Sequence, residues 1–314
     1  MPISNAGARV IDPVLTTVAQ GYTSPAFVGN VLFPRVSVST RGGQIIEFDR
    51  DAYRAYATKR SPGGRTARIQ FGYSGKPFAL LNEAVEIPLP REHIQDASIV
   101  PRIDLGVRAI NVGMRNLALS LEIEQSALAF NQANYAAANK SAVLTGGTKW
   151  STATGVPMTD VDAGREAVRQ SCGAYPNVMM MSAPAFNACK NNPNVVGRFQ
   201  YNGAAGTDAS QITPKMLAGL FNVDQVVVGA GIYWSDANVA IDIWGNAVVL
   251  AYVPTGSMSL EEPSYGYTYT LDGNPLIETP YWEPQSKSWI YGATYERVPV
   301  LSGISSGYII QTPA

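Results

Sequence analysis

Between Arg102 and Tyr135, the residues Ile103, Val107, Ile110, Met114, Leu117, Leu121 and Leu128 fall at spacings of 4, 3, 4, 3, 4 and 7. That repeat puts one continuous apolar stripe on a single helix face. A helix over 102–135 extends roughly 50 Å at the standard rise per residue. Gly106 and Gly113 each cost it about 1 kcal/mol relative to alanine, so packing along the stripe must hold it together. Flanking charge pairs of the coiled-coil kind are nearly absent, which favours a helix lying on a sheet.

The segments around this helix set its surroundings. Residues 1–40 hold Pro2, Pro13, Pro25 and Pro34, few charges and little helical period, and read as an extended arm. "GGQIIEFDR" gives a short strand, and "ARIQFGY" and "FALLNEAVEIPL" give returning strands. Between them "DAYRAYATKRSPGG" closes on Pro62-Gly63-Gly64, a strong turn signal. Residues 43–90 thus form a long two-stranded loop. An isolated hairpin is marginal in water, so one this long is expected on a partner surface.

After the long helix, "TGGTKWSTATG" is a loop. A helix near "TDVDAGREAVRQSC" starts with Thr159 and Asp162 at capping-box spacing. Strand Val178–Met181 leads into a helix from Pro184 to Lys190, broken at Asn191-Asn192-Pro193. "ITPKMLAGLFNV" is a short helix with Pro214 in its first turn. "DQVVVGAGIY" and "NAVVLAYV" are apolar strands; "YGYTYTL" and "WIYGATYER" alternate like half-buried antiparallel ones. No internal repeat is visible.

Composition bounds the function. The 314 residues are 46% hydrophobic but only 15% charged, against about 25% in an ordinary soluble domain. With 16 Tyr and 5 Trp, the composition fits a surface covered by other copies of the chain, or a large monomer with a thick core. A net charge of −1 argues against electrostatic wrapping of nucleic acid. No apolar run approaches the roughly 18 residues of a membrane span, and no signal peptide stands at the N-terminus. Cys172 and Cys189 fit a reducing compartment in which neither needs a partner. Cytoplasmic synthesis is the expectation.

Catalytic motifs do not survive inspection. His93 is the only histidine, and no G-x-S-x-G elbow supplies it with a nucleophile; "GYSGK" is one residue short. "GGTKW" lacks phosphate-loop spacing, and "TDVDAGRE" lacks the later ligands of a calcium loop. Two distant cysteines make no zinc site. Ser182 stands before a helix, where capping alone explains a Ser-Ala-Pro start. No catalytic, cofactor or metal site is expected.

One charge pattern remains. Residues 50–70 carry Arg50, Arg54, Lys59, Arg60, Arg65 and Arg68 against Asp51 alone. Residues 251–286 carry Glu261, Glu262, Asp272, Glu278 and Glu283 with no Lys or Arg. Two unrelated solvated faces would explain this; so would a basic hairpin tip of one subunit lying over an acidic patch of the next, fixing register between copies.

The order of parts resembles the tailed-phage major capsid proteins of the HK97-like fold. The stretches that carry the resemblance are "FVGNVLFPRVSV", "YPNVMMMSAPAFNACKNNPNVVGRFQY" and "ITPKMLAGLFNVDQVVVGAGIYW". It implies an α+β fold: an N-arm at about 1–42, an E-loop hairpin at 43–90, and a P-domain at 91–154 whose spine helix lies on a sheet. An A-domain of mixed sheet and helices then occupies about 155–250, and strands of 251–314 mostly return to the P-domain. Loop 202–210 or segment 254–275 would meet at the capsomer axis. It further implies hexamers and pentamers of an icosahedral head around double-stranded DNA, assembled in the host bacterial cytoplasm. The partners would be further copies, a separate scaffolding protein and a portal, with a decoration protein as another candidate. Contact with packaged DNA would be weak and non-specific, with no membrane role and no cofactor. Lys59 lies in the E-loop, but nothing identifies a crosslinking partner. An encapsulin-type compartment shares the fold and is the alternative; a soluble hydrolase using Ser182 or His93 is the second. A tail or fibre module fits the long helix poorly.

Overall fold

The computed structural model describes residues 11–24, 26–47, 59, 74–98, 104–201, 211–254 and 264–314. The helices are α1 (Pro13–Gln20), α2 (Gly29–Leu32), α3 (Arg91–Ser98), α4 (Leu105–Ala129), α5 (Pro157–Cys172), α6 (Ala183–Asn191), α7 (Pro193–Tyr201) and α8 (Pro214–Phe221). The first strands are β1 (Arg35–Val38), β2 (Gly42–Glu47), β3 (Ser74–Ala79), β4 (Leu81–Pro90), β5 (Lys140–Val143), β6 (Val178–Ser182) and β7 (Gln225–Gly229). They are followed by β8 (Ile232–Trp234), β9 (Ala240–Asp242), β10 (Ala247–Ala251), β11 (Gly266–Leu271), β12 (Leu276–Ile277), β13 (Tyr281–Glu283), β14 (Ser288–Leu301) and β15 (Gly307–Gln311).

The apolar stripe does make the spine of the fold. Ile110, Met114, Leu117 and Leu121 of α4 are buried against Ile277, Ala293 and Tyr295. The helix is shorter than 102–135. Asp104 caps it, its Oδ1 accepting from Gly106 N at 2.9 Å and Val107 N at 3.1 Å. Its other end gives way to a 3₁₀ turn at Gln132–Asn134, which Asn131 starts by accepting from Ala133 N. Gly113 is a packing requirement: a Cβ there would stand 2.6 Å from Ile87 Cδ1, so the glycine lets α4 close onto β4.

That sheet has six strands in the order β1-β11-β14-β12, with β13 and β4 also paired to β14. Directly opposed residues share a face and alternate residues swap faces. Tyr291, Ala293, Tyr295 and Arg297, with Ile87, Val85, Glu83 and Leu81 opposite them, therefore face α4. Arg297 carries the positive charge on this face. Its guanidinium donates to Glu83 at 2.7 Å, Glu124 at 2.9 Å and Leu117 O at 3.1 Å, locking β14, β4 and α4 together.

The second sheet runs β5-β15-β10-β6-β7, with β6–β7 and β5–β15 parallel and the other pairs antiparallel. Every residue of β6, β10 and β15 is buried. Met179, Met181, Val248 and Leu250 enter one core with residues of α5, α6 and α8. Val178, Met180, Val249 and Ala251 enter another with Phe33, Ala129 and Tyr265.

Several expectations are corrected. The N-terminal arm is not simply extended: Asp12 and Pro13 start α1, with Asp12 Oδ1 accepting from Val14 N and Leu15 N, both at 3.0 Å. There is no capping box at Thr159, because Pro157 at the first helical position starts α5 earlier, after Val156. The returning strand splits at Leu80: β3 pairs with β2 as a hairpin, while β4 joins β14. Strands β11 and β14 are buried on both faces over much of their length, not half-buried, because α4 covers one side and β3 part of the other.

Candidate assembly surface

On the face of the six-stranded sheet turned away from α4, the root of the β2–β3 hairpin covers one end. Phe78 stacks on Tyr269 with ring centroids 4.7 Å apart, and Leu80 packs beside it. Arg41, at the base of the hairpin, donates to Glu296 of β14 in a fork, Nε to Oε2 at 2.6 Å and the second bond at 3.0 Å. The Glu296 side chain is only 3% exposed, so this pair sets the angle at which the hairpin leaves the sheet.

The other end of the same face is uncovered. Glu86 lies opposite Gly292, Tyr281 opposite Ile290, and Glu283 opposite Ser288, so all point to this side. Glu278 completes the group: its N donates to Gly292 O at 3.0 Å, and its carboxylate fills the space a side chain at 292 would need. The Tyr281 hydroxyl donates to Glu86 Oε1 at 3.4 Å, and Ser286 donates to Glu283. Partial desolvation, then Glu86, Glu283 and Glu278, hold the Tyr281 phenol above its ordinary value.

The structure therefore brings Glu278 and Glu283 together. It adds Glu86, which sequence reading missed because β4 was assigned to the hairpin. Asp272 sits instead in the turn after β11, its N donating to Val38 O at 3.0 Å, and is not among the carboxylates acting on Tyr281. Lys59 is exposed. Arg50, Arg54, Arg60, Arg65 and Arg68, with Glu261 and Glu262, lie outside the described residues, as does loop 202–210.

A second acidic position, also unanticipated, is closed. Glu122 of α4 is buried and accepts from Val28 N at 2.9 Å, Gly29 N at 2.9 Å and Trp244 Nε1 at 2.6 Å. One carboxylate thus ties the spine helix to the N-terminal end of α2 and to the segment before β10. Burial raises its pKa, against the opposing pull of those three donors. A Cβ on Gly29 would overlap Gln125 and come within 2.8 Å of Glu122 Oε2. The sequence signal was there: an acid between Leu121 and Ile123 in a charge-poor helix.

Ser182 is fully buried and its Oγ accepts from Ala185 N at 3.3 Å, capping α6. His93 lies exposed on α3. Cys172 and Cys189 are free and buried, and burial pushes the Cys189 thiol up to about 12, far from a reactive thiolate. Among the described residues no group of His, Cys, Asp and Glu could hold a metal ion, and no helix is long and apolar enough to cross a membrane.

No protein-family model matches the chain. Individual proteins do. The major capsid protein of Burkholderia phage BcepMu is 32% identical over 307 residues, covering 96% of each chain. A phage-related protein from Bordetella bronchiseptica RB50, solved by crystallography, is 42% identical with a TM-score of 0.83, covering 97% of this chain and 98% of that one. The mature capsid of bacteriophage PhiM1 superposes with a TM-score of 0.53 at 13% identity over 93% of this chain and 88% of that one, a likeness of fold alone. Spine helix, hairpin and two sheets in this order are the HK97-like fold. With a third of its residues shared with a phage capsid subunit from end to end, the chain belongs to the family of phage major capsid proteins.

Proposed function

We propose that this protein builds the icosahedral head of a tailed phage from hexamers and pentamers of itself, around double-stranded DNA, and that it catalyses nothing. The observation that carries the reading is the unfinished face of the six-stranded sheet. Glu86, Glu278, Glu283 and Tyr281 form an acidic surface, exposed at Glu86 and Tyr281, on the same face as the root of a hairpin whose tip is strongly basic in sequence. Within one chain Arg41 already pairs with Glu296 on this face. The basic tip, with Arg54, Lys59, Arg60, Arg65 and Arg68, makes the analogous contact between chains, with the acids of 251–286 as its counterpart. Each contact is weak, and repetition around the shell makes it stable.

Scaffolding protein, portal and decoration protein are the partners such a head would use, and the host cytoplasm is where it would assemble. Light scattering on chromatographed protein, with negative-stain imaging of the same fractions, tests the assembly. Hollow particles, tubes or rings are the expected result. A chain that stays monomeric even when co-expressed with its neighbouring genes overturns the shell reading. Arg60→Glu with Arg65→Glu tests the hairpin: folded subunits that no longer assemble are expected, and normal shells remove the hairpin contact.

A further inference from the structure

The β8–β9 hairpin has no role in either core commensurate with its composition. Ile232, Trp234, Val239 and Ile241 are all exposed on it, Trp234 at 67%. Register places Ile232 and Trp234 on one face with Asp242 and Ala240, and Tyr233 and Ile241 on the other. Ser235 N donates to Val239 O at 3.0 Å across the turn, which carries Asp236. A two-stranded hairpin this apolar is marginal in water, and such exposure marks a contact surface. From residue 216 to residue 286 the chain has no Lys or Arg, so a cation facing the hairpin's Asp236 must come from the surface that receives it.

The same molecule offers a groove that holds such a cation beside aromatic rings. An open cavity of about 400 Å³ with a mixed polar and aromatic lining includes Arg165, Tyr175, Asn177, Asn222, Asp224 and Tyr252. Tyr175 is half exposed, with the Arg165 guanidinium 5.2 Å and that of Arg169 5.9 Å from its ring centroid. Arg169 pairs with Glu166. Arg165 has only a 3.6 Å contact with Asp162, and its buried Nε has no hydrogen-bond partner. Aromatic rings beside an under-paired arginine are what an indole and a carboxylate dock onto, and Trp, Tyr and Arg dominate interface energetics.

A copy cannot fill its own groove. Asp224 and Val223 border the groove just before β7 begins at Gln225, and β8 begins at Ile232, after β7 has ended at Gly229. The five residues of β7 separate the two features by about 16 Å at the rise of a strand. We propose that the β8–β9 hairpin of one copy docks in the Tyr175 groove of a second copy. Trp234 stacks over Tyr175 and Arg165, and Asp236 meets Arg165. Because hairpin and groove are different surfaces, the contact is head-to-tail, the kind that closes into rings. It rests on the shell reading but is independent of the acidic face.

Trp234→Ser and, separately, Tyr175→Ser test it, with thermal melting of the subunit as the folding control. Both side chains are exposed, so unchanged melting is expected, with assembly reduced about ten-fold or more. Wild-type assembly by either variant overturns the proposal while leaving the shell reading intact. A benzophenone amino acid at position 234 identifies the partner surface. Photo-crosslinks in assembled particles are expected at groove residues of another chain. Crosslinks elsewhere on a second copy, or only within one chain, overturn it. A wild-type chain that never assembles removes the shell reading and this contact together.

Discussion

The two sheets finish their burial in different ways. In the five-stranded sheet β6, β10 and β15 are buried at every residue, with cores on both faces supplied by the same chain. In the six-stranded sheet, edge strand β4 alternates: Glu83, Val85, Ile87 and Leu89 are half-buried on the α4 side, while Asn82, Ala84, Glu86 and Pro88 are exposed on the other. One sheet is complete within a single copy. The other presents a face that a neighbour can complete. A shell subunit needs both: a part stable before assembly, and a part whose burial is the assembly.

The sharpest way to break that contrast is to damage the closed sheet. Leu250→Ala, at a fully buried site against α5, should cost about 2–5 kcal/mol of subunit stability. Urea unfolding of the unassembled subunit reads this directly. A comparable loss from a change on the open face would dissolve the distinction.

Next in size is Glu122→Gln. It replaces a buried acceptor of three donors with a group half of which is itself a donor, at a cost of about 1–3 kcal/mol. The pH dependence gives a second readout. Burial holds the folded-state Glu122 carboxyl above its ordinary value, so the folded chain binds that proton more tightly than the unfolded one. Its contribution is fully present below the ordinary carboxylate pKa and is lost as pH rises through the raised one. Unfolding from about pH 4 to about pH 8 should show that slope in the wild type and a flatter one in the variant.

Smaller again is Arg41→Ala. It leaves Glu296 without its fork partner and frees the hairpin angle; subunit melting should fall slightly while assembly falls more. The smallest subunit effect belongs to the triple change of Glu86, Glu278 and Glu283 to Gln. Stability should stay within about 0.5 kcal/mol, while the salt sensitivity of assembly should diminish. Loss of subunit stability in the triple variant would mean that the face belongs to the core after all.

In both regions the locally coded elements were the legible ones. The α4 stripe, the β6 run and the Ser182 cap could be read because period, apolar runs and capping residues are local signals. Where two local signals competed, the stronger backbone constraint won, as Pro157 did over Thr159 in starting α5. Pairing was not legible. Nothing near Leu80 announces that β3 and β4 belong to different sheets; that depends on β14, more than two hundred residues away. The same reason hid Glu86 from the acidic group. Strand β15 went unnoticed because five residues, "GYIIQ", carry too little pattern to declare a partner.

That strand is the one that joins its sheet. Residues 307–311 lie between β5 and β10, so the sheet that spans residues 140–251 stays split until they arrive. The sheet is whole only when strands more than 160 residues apart in sequence, β5 and β15, have met. A copy lacking β15 would therefore leave the facing edges of β5 and β10 unpaired, two open strand edges in the middle of a largely buried sheet.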